Sequence, residues 1–254
     1  IKSDGYIDRA SSNLKSYFFQ GLYKNDKRLF KLLVFGGSEI TYQSWYGVDP
    51  LTLKNDRTYN FAGEIYNSNN ELLGFYDNQV DNYKQDHYQF HWNEKINQRW
   101  STNLGLNYTY GRGYFEQFRE DDSVETYGGI VESDTDQSGV KLGTTDLIRR
   151  RWLDNNFYVF NASANYQSSK LNMTFNSSYS TYSGDHFGEV VWARQFGKNS
   201  SIRDRYYEGN GKKTDFSVFA KASYFFNKKI EFYGDLQLRN VGYKTKGYTS
   251  DLVN

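Results

Sequence analysis

The feature that most constrains this fold is a repeated hairpin, in which two runs of alternating apolar and polar residues flank a very short turn. Long polar stretches, of roughly 25–40 residues by this pattern, separate one hairpin from the next. The short turns fall near Lys24–Lys27, Asn97–Gln98, Ser168–Lys170 and Asn227–Lys229. Short turns at one end of the strands and long loops at the other are typical of a membrane β-barrel.

The clearest strand is predicted at Trp100–Tyr110. Successive side chains of a strand point to opposite faces, so this segment has one apolar and one polar face. The apolar face contains Trp100, Leu104, Leu106, Tyr108 and Tyr110, and the polar face contains Asn103, Gly105, Asn107 and Thr109. Similar alternation elsewhere predicts an all-β fold of about eight antiparallel strands in four hairpins, some about 15 residues long. Because an open sheet would leave unpaired edges in lipid, we expect these strands to be part of a larger closed barrel.

Composition agrees with a barrel and excludes several other classes. The chain has 24 tyrosines and 19 phenylalanines, yet only 37% of its residues are hydrophobic and its mean hydropathy is −0.84. No window approaches the ~20 apolar residues that a membrane-spanning helix needs, whereas only alternate residues of a barrel strand face lipid. A net charge of +1 argues against a dedicated nucleic-acid-binding protein. The absence of cysteine excludes a disulfide framework.

Several phrases of the sequence resemble strands of the TonB-dependent outer-membrane receptors. They are spread over nearly the whole chain and are more specific together than singly. The similar segments are Ile1–Ser12 (IKSDGYIDRASS) with Leu14–Phe18, Tyr42–Thr58 (YQSWYGVDPLTLKNDRT), Leu147–Phe157 (LIRRRWLDNNF), Phe187–Arg194 (FGEVVWAR) and Phe232–Gly247 (FYGDLQLRNVGYKTKG).

This resemblance implies a 22-stranded barrel in the outer membrane of a Gram-negative bacterium, closed by an N-terminal plug domain. Such receptors import a scarce nutrient with energy relayed by TonB, most often a ferric siderophore or similar metal chelate. The implied partners are outer-membrane lipid, the TonB energy-coupling complex and a small-molecule ligand, without nucleic acid.

The sequence shows no TonB box, plug domain or terminal aromatic signature. We therefore expect residues 1–254 to be a middle part of the barrel, a fragment lacking the plug and the remaining strands. A passive porin and a secreted glycan-binding β-protein are the alternatives.

Trp45, Tyr46 and Arg57 are the first candidate ligand-binding residues. They lie in the first long loop, where an aromatic pair beside a cation can hold a planar or ring-bearing ligand. The alternative is a loop that packs on its own aromatic side chains.

Arg149 is the second candidate, as the first residue of the run Arg149–Arg151 at the predicted end of the second long loop. Guanidinium groups bind carboxylate and phosphate oxygens in pairs, so this run can attract an anionic ligand or lipopolysaccharide phosphates. Adjacent strand residues alternate in direction, so at least one of the three must point away from the others. The alternative is pairing with the acids of the same loop, predicted at Glu116–Asp136.

His186, Glu189, Trp192 and Arg194 are the third group, at the mouth of the third long loop. They are interpreted as a polar rim that receives ligand. The alternative is a set of ion-paired rim residues with a tryptophan of the aromatic girdle.

The sequence offers no catalytic or metal-binding motif. His87 and His91 are four strand residues apart, about 13 Å, too far to share one ion, and are expected to face the lumen. Asp134–Gly139 resembles the start of a calcium loop, but Thr145 stands where a bidentate Glu belongs. There is no nucleophile elbow, phosphate loop or zinc-protease motif. We expect a non-enzyme without a cofactor.

Overall fold

The computed structural model describes residues 1–248, and almost all of their regular structure is antiparallel β. Nine strands form one meandering sheet: β1 (Lys2–Asp4), β2 (Ser11–Lys24), β3 (Arg28–Tyr42), β6 (Val80–Lys95), β7 (Trp100–Ser123), β8 (Thr144–Gln167), β9 (Leu171–Ala193), β10 (Arg205–Phe225) and β11 (Glu231–Tyr248). The loop between β3 and β6 holds helix α1 (Pro50–Asn55) and a hairpin of β4 (Glu64–Tyr66) and β5 (Leu72–Phe75). The eight long strands confirm the predicted four hairpins, and β1 adds a short edge strand.

Each short turn is closed by an Asn or Ser side chain that accepts hydrogen bonds from backbone N–H groups two and three residues later. Asn25 accepts from Lys27 and Arg28 at 2.9 and 2.8 Å. Asn97, Ser168 and Asn227 make the same pair of bonds in the other three turns. These side chains satisfy backbone groups that the ladder leaves behind, which is why Asn and Ser favour such turns. The four predicted turns are confirmed, and they set the register of the hairpins.

The half of the sheet nearest these turns has one apolar and one polar face, as the alternation predicts. On the apolar face, Leu106 lies opposite Phe90 and Phe160 in register. The rings of Tyr108 and Tyr158 stack there with centroids 4.6 Å apart. We call this half of the sheet the lower wall, the face of Leu106 the apolar face, and the face of Asn107 the polar face.

On the polar face of the lower wall, neighbouring strands are joined by side-chain hydrogen bonds. His87 Nδ1 lies 2.9 Å from Thr109 Oγ1, and Gln89 donates to Asn107 at 3.2 Å. His87 therefore lies on the polar face, as its parity predicts. Polar groups arranged in this way suit a lumen that holds water or polar groups, since a dry core would leave most of their bonding capacity unused.

The strands extend much further than the alternation predicts. β7 and β8 have 24 residues each and β9 has 23, against about 15 from the pattern. As a result, the second and third loops are confined to residues 124–143 and 194–204, shorter than predicted. Above Tyr110 both faces of the sheet carry polar side chains, so the period-two signal fades although the backbone ladder continues.

The one buried apolar cluster of residues 1–248 lies at the loop end of the sheet, outside the lower wall. It joins the second loop to the upper ends of β8, β9 and β10. Its members are Tyr127, Ile130, Val131, Leu147, Val190, Ala193, Tyr206 and Tyr207, with Val124 and Phe196 packed against them. The loops are thus fixed on the sheet by a small hydrophobic core of their own.

No helix among residues 1–248 is long and apolar enough to cross a bilayer.

Candidate functional site at the loop end of the sheet

The first loop is anchored to the sheet through Gln43, which is fully buried. Gln43 Nε2 donates to the carbonyl oxygens of Val80 and Glu116, at 3.1 and 2.9 Å. Asn60, further along the loop, donates to the carbonyl of Gln43 at 2.9 Å, and Tyr42 donates to the carbonyl of Ala62 at 3.0 Å. Because these buried groups have defined partners on the sheet, the loop is held in one position.

Glu116 is the second anchor of this loop, and only 2% of it is exposed. Its carboxylate accepts hydrogen bonds from Tyr76 and Asn78 of the loop and from Arg150 of β8, the last at 2.6 Å. Burial and this carboxylate raise the pKa of Tyr76, so the phenol stays protonated as the donor. One side chain thereby joins the loop to two neighbouring strands.

Trp45 and Tyr46 lie directly after this anchor, with ring centroids 6.1 Å apart. Trp45 is 56% exposed. The Tyr46 hydroxyl accepts from Gln117 Nε2 at 2.7 Å, and Gln117 Oε1 accepts from Arg149 at 3.1 Å. The two rings are therefore linked through Gln117 to Arg149. Gln117 and Arg149 are opposite each other in register and have the parity of the polar face. Arg57 is exposed and forms no ion pair or ring contact within residues 1–248.

Arg149 lies in strand β8, which corrects its predicted position in a loop. Its guanidinium donates to the Tyr127 hydroxyl at 3.1 Å and lies 3.5 Å from the Asp122 carboxylate. Burial would raise the pKa of Asp122, but hydrogen bonds from Arg119 and Tyr127 and the charge of Arg149 lower it overall. Arg149 is thus already paired with Asp122 at neutral pH. This agrees with the alternative interpretation, in which the arginine run pairs with acids of Glu116–Asp136.

The other two arginines of the run point to different faces. Arg150 pairs with Glu116, whereas Arg151 shares the face of Arg149. Arg151 lies over the rings of Phe115 and Tyr207, at 5.8 and 5.4 Å from their centroids. Within residues 1–248 it has no carboxylate partner, so this cation is held by aromatic faces alone.

His186, Glu189 and Trp192 belong to strand β9, which corrects their predicted position in a loop. The prediction failed because the alternation of β9 ends before the strand does. His186 is exposed, Glu189 accepts a 2.9 Å hydrogen bond from the Trp152 indole, and Trp192 is 44% exposed. His186 and Glu189 are three positions apart on the strand, so their side chains point to opposite faces. These residues do not form one rim site.

Arg194, just after β9, closes an acidic cleft of about 670 Å³ between the first and second loops. It pairs with Asp146 and with Asp134, the latter at 3.3 Å. Glu120, also in the cleft, accepts from the backbone N–H of Tyr66 at 2.9 Å. Burial raises the pKa of Glu120, and the charges of Asp146 and Asp121 raise it further. Within residues 1–248, no group of three or more acidic or histidine side chains is arranged to hold a metal ion.

Sequence reasoning missed Gln43, Glu116, Gln117 and Asp122, which hold this end of the molecule together. Each is a single polar residue without a local motif, and the partner of Gln43 on β7 lies 73 residues away along the chain. The signal that could have found two of them is the alternative interpretation of the arginine run, in which it pairs with acids of Glu116–Asp136, as Arg150 does with Glu116 and Arg149 with Asp122.

No family model and no curated protein matches the sequence. Solved structures do resemble the fold. The open form of the ferric-catecholate import receptor Fiu from E. coli K12 matches with a TM-score of 0.58, at 11% identity, over 98% of this chain and 40% of the receptor. The ferric preacinetobactin receptor BauA from Acinetobacter baumannii matches with 0.57, at 7% identity, over 97% and 37%. The unliganded ferric citrate transporter FecA matches with 0.59, at 8% identity, over 96% and 33%.

The chain thus spans 33–40% of the length of these receptors. Identities this low show the fold alone, which is an antiparallel sheet similar to part of the β-barrels of these receptors. The fold class expected from the sequence is confirmed.

Proposed function

We propose that this chain, which has the fold of a TonB-dependent receptor wall, is part of an outer-membrane transporter that captures and imports a scarce nutrient. The observation that carries the proposal is the coincidence of two features. One is a lower wall with a continuous apolar face and a polar face, suited to lipid on one side and a lumen on the other. The other is a likeness that covers 96–98% of the chain to receptors and a transporter for ferric ligands. The chain contributes wall and extracellular loops, and we assign it no catalytic step.

The ligand we propose is a ferric siderophore or a similar metal chelate. The similar structures are a ferric-catecholate, a ferric preacinetobactin and a ferric citrate protein, which supports this class for the present chain. In the chain itself, Trp45 offers an exposed ring next to Tyr46, and two cations, Arg149 and Arg151, lie on the same face below. Rings and cations together suit a ligand with both aromatic groups and anionic oxygens.

Of the residues predicted as ligand-binding, we therefore retain Trp45, Tyr46 and Arg149 as one group and add Arg151. Within residues 1–248 this group forms no side-chain hydrogen bond, ion pair or ring contact with the remaining candidates, Arg57, His186, Glu189, Trp192 and Arg194.

The test is growth of a strain that lacks the gene, on single iron chelates or on cobalamin, with the full-length gene restored on a plasmid. We expect the wild-type gene to restore growth on at least one ferric chelate, and only in cells with functional TonB. Trp45→Ala and Arg151→Gln should each weaken this growth, whereas Arg57→Ala is the matched loop control. Growth that does not depend on TonB would favour a passive porin and contradict the proposal.

A further inference from the structure

Three exposed lysines lie together on strands β10 and β11, on the parity of the apolar face. Lys212 is directly opposite Lys244 in register, and Lys246 is two residues further along the same face. Within residues 1–248 none of the three forms an ion pair. Like charges directly opposite each other destabilise a sheet unless an anion lies between them.

The height of the lysines on the wall is as informative as their charge. Below them the same face carries the apolar side chains of Phe216, Val218 and Leu238, and Val218 is opposite Leu238 in register. Lys212 is four residues beyond Phe216, which places it about 9 Å higher for a strand tilted by about 45°. A headgroup layer extends about 5–8 Å beyond each side of the hydrocarbon core. Flexible lysine side chains at this height reach that layer.

The row of paired residues that contains Lys212 also carries charge on β6 and β7, and there the charge is neutralised. On β6 and β7, the carboxylate of Asp86 lies 2.6 Å from Arg112 and 3.9 Å from Lys84. Tyr17 also donates to Asp86, at 2.7 Å. If this part of the wall needed only polar side chains, we would expect its charges to be balanced on every pair of strands, as they are on β6 and β7. On β10 and β11, by contrast, no carboxylate within residues 1–248 forms an ion pair with Lys212 or Lys244.

Two acids on this face lie near the lysines, Glu208 of β10 and Asp185 of β9. Glu208 is diagonally across from Lys246 and pairs with Arg205 at 3.4 Å. Asp185 lies diagonally across from Lys212 and is opposite Asn210 in register, whose side-chain amide donates to it at 2.5 Å. Lys244 and Lys246 are one strand further away. Within residues 1–248 these two acids therefore leave the opposed pair Lys212 and Lys244 without an ion-pair partner.

We propose that Lys212, Lys244 and Lys246 form a binding site for the phosphate groups of lipopolysaccharide in the extracellular leaflet. The inference rests on the proposed outer-membrane location, because only there does lipid meet this face. The short turns define the opposite, periplasmic end, so the lysines lie toward the outer leaflet. Lysine binds phosphate as a compact point charge, and an anionic surface attracts each such residue near it. The site uses a part of the wall distinct from the group around Trp45.

The experiment compares the full-length wild-type receptor with two double variants of equal charge change. Lys212→Gln with Lys244→Gln removes the opposed pair. Lys213→Gln with Lys221→Gln removes two lysines of the same strand that lie on the polar face, by parity. Each protein is placed in phosphatidylcholine vesicles with and without lipopolysaccharide, and the bound lipopolysaccharide is measured at low and high salt. Heat-modifiable migration of the barrel on gels, and recovery in outer membranes, report folding and location separately.

We expect the Lys212/Lys244 variant to bind lipopolysaccharide about 10- to 30-fold more weakly, and the Lys213/Lys221 variant to bind like wild type. High salt should weaken wild-type binding toward that of the first variant.

Equal binding by both variants in correctly inserted barrels would overturn the lipid site and leave the proposed transporter intact. Full competition by inorganic phosphate would also overturn it, since the site would then hold a soluble anion. Should the double variant not fold, Lys246→Gln alone gives the same test with a smaller loss. Absence of wild-type protein from the outer membrane would contradict the proposed function itself.

Discussion

The lower wall and the loop end of this sheet are stabilised in different ways. In the lower wall each side chain meets a neighbour on an adjacent strand, as Tyr108 meets Tyr158, and otherwise faces its surroundings. At the loop end, buried polar residues such as Gln43 and Glu116 bind groups from distant parts of the chain, beside a small apolar core. The same strands therefore pass from a membrane-type wall to a region organised like a soluble protein.

This difference determines what a substitution costs. On the lower wall the surroundings differ by face, so the cost depends on which parity is changed. At the loop end it depends on whether a buried partner is left without its hydrogen bond or counter-charge.

The largest effect is expected for Glu116→Ala at the loop end. Removing this buried carboxylate leaves Arg150, Tyr76 and Asn78 without their shared partner, which should cost about 3–5 kcal/mol. The matched truncation on the lower wall is Asn107→Ala, whose polar face can admit water, and its cost should be about 0.5 kcal/mol or less. Denaturant unfolding of the full-length barrel and hydrogen exchange in residues 43–79 measure both. Similar costs at the two positions would remove the distinction between the regions.

The second effect separates the two faces of the lower wall. Leu106→Arg places a charge on the apolar face and should cost about 2–4 kcal/mol if the residue is near the bilayer midplane. Asn107→Arg, on the next residue, points to the polar face and should be much milder. Reversible unfolding of the full-length protein in lipid vesicles provides the comparison. Equal costs would contradict the assignment of the faces.

The two regions also differ in how far the sequence predicts them. In the lower wall, alternation gives both the strand and the face of residues such as Leu106 and Asn107, because burial there follows a period of two. The turn residues Asn25 and Asn97 likewise act through their own neighbours. At the loop end, Gln43 acts on a group 73 residues away. No local pattern encodes such a pairing, so the strand ends and the anchors were not predicted.

A smaller effect with a defined pH dependence is expected for Asp122. Its folded-state pKa is lowered by Arg119, Tyr127 and Arg149 against the effect of burial. Its contribution to stability is therefore present above the unfolded-state pKa, about 3.9, and is lost as pH falls through the folded-state value. Asp122→Asn should cost about 1–3 kcal/mol at pH 7. The difference from wild type should shrink in acid, as followed by hydrogen exchange at Tyr127, and a constant difference would contradict this assignment.

The smallest effect, and one of opposite sign, is expected for Glu120→Gln in the acidic cleft. The folded-state pKa of Glu120 is raised, first by burial and then by Asp146 and Asp121, so its ionised form is disfavoured in the fold. The penalty is absent below the unfolded-state pKa, about 4.3, and grows as pH rises through the folded-state value.

Glutamine keeps an oxygen for the N–H of Tyr66 and carries no charge. The variant should therefore equal or exceed wild-type stability at pH 7 by less than about 1 kcal/mol, and match it near pH 4. Glu125→Gln, at an exposed acid of the adjoining segment, is the matched control for the change of charge. A loss of stability at pH 7 would mean that the Glu120 charge is needed, and that this cleft is held by its ions as Glu116 holds the first loop.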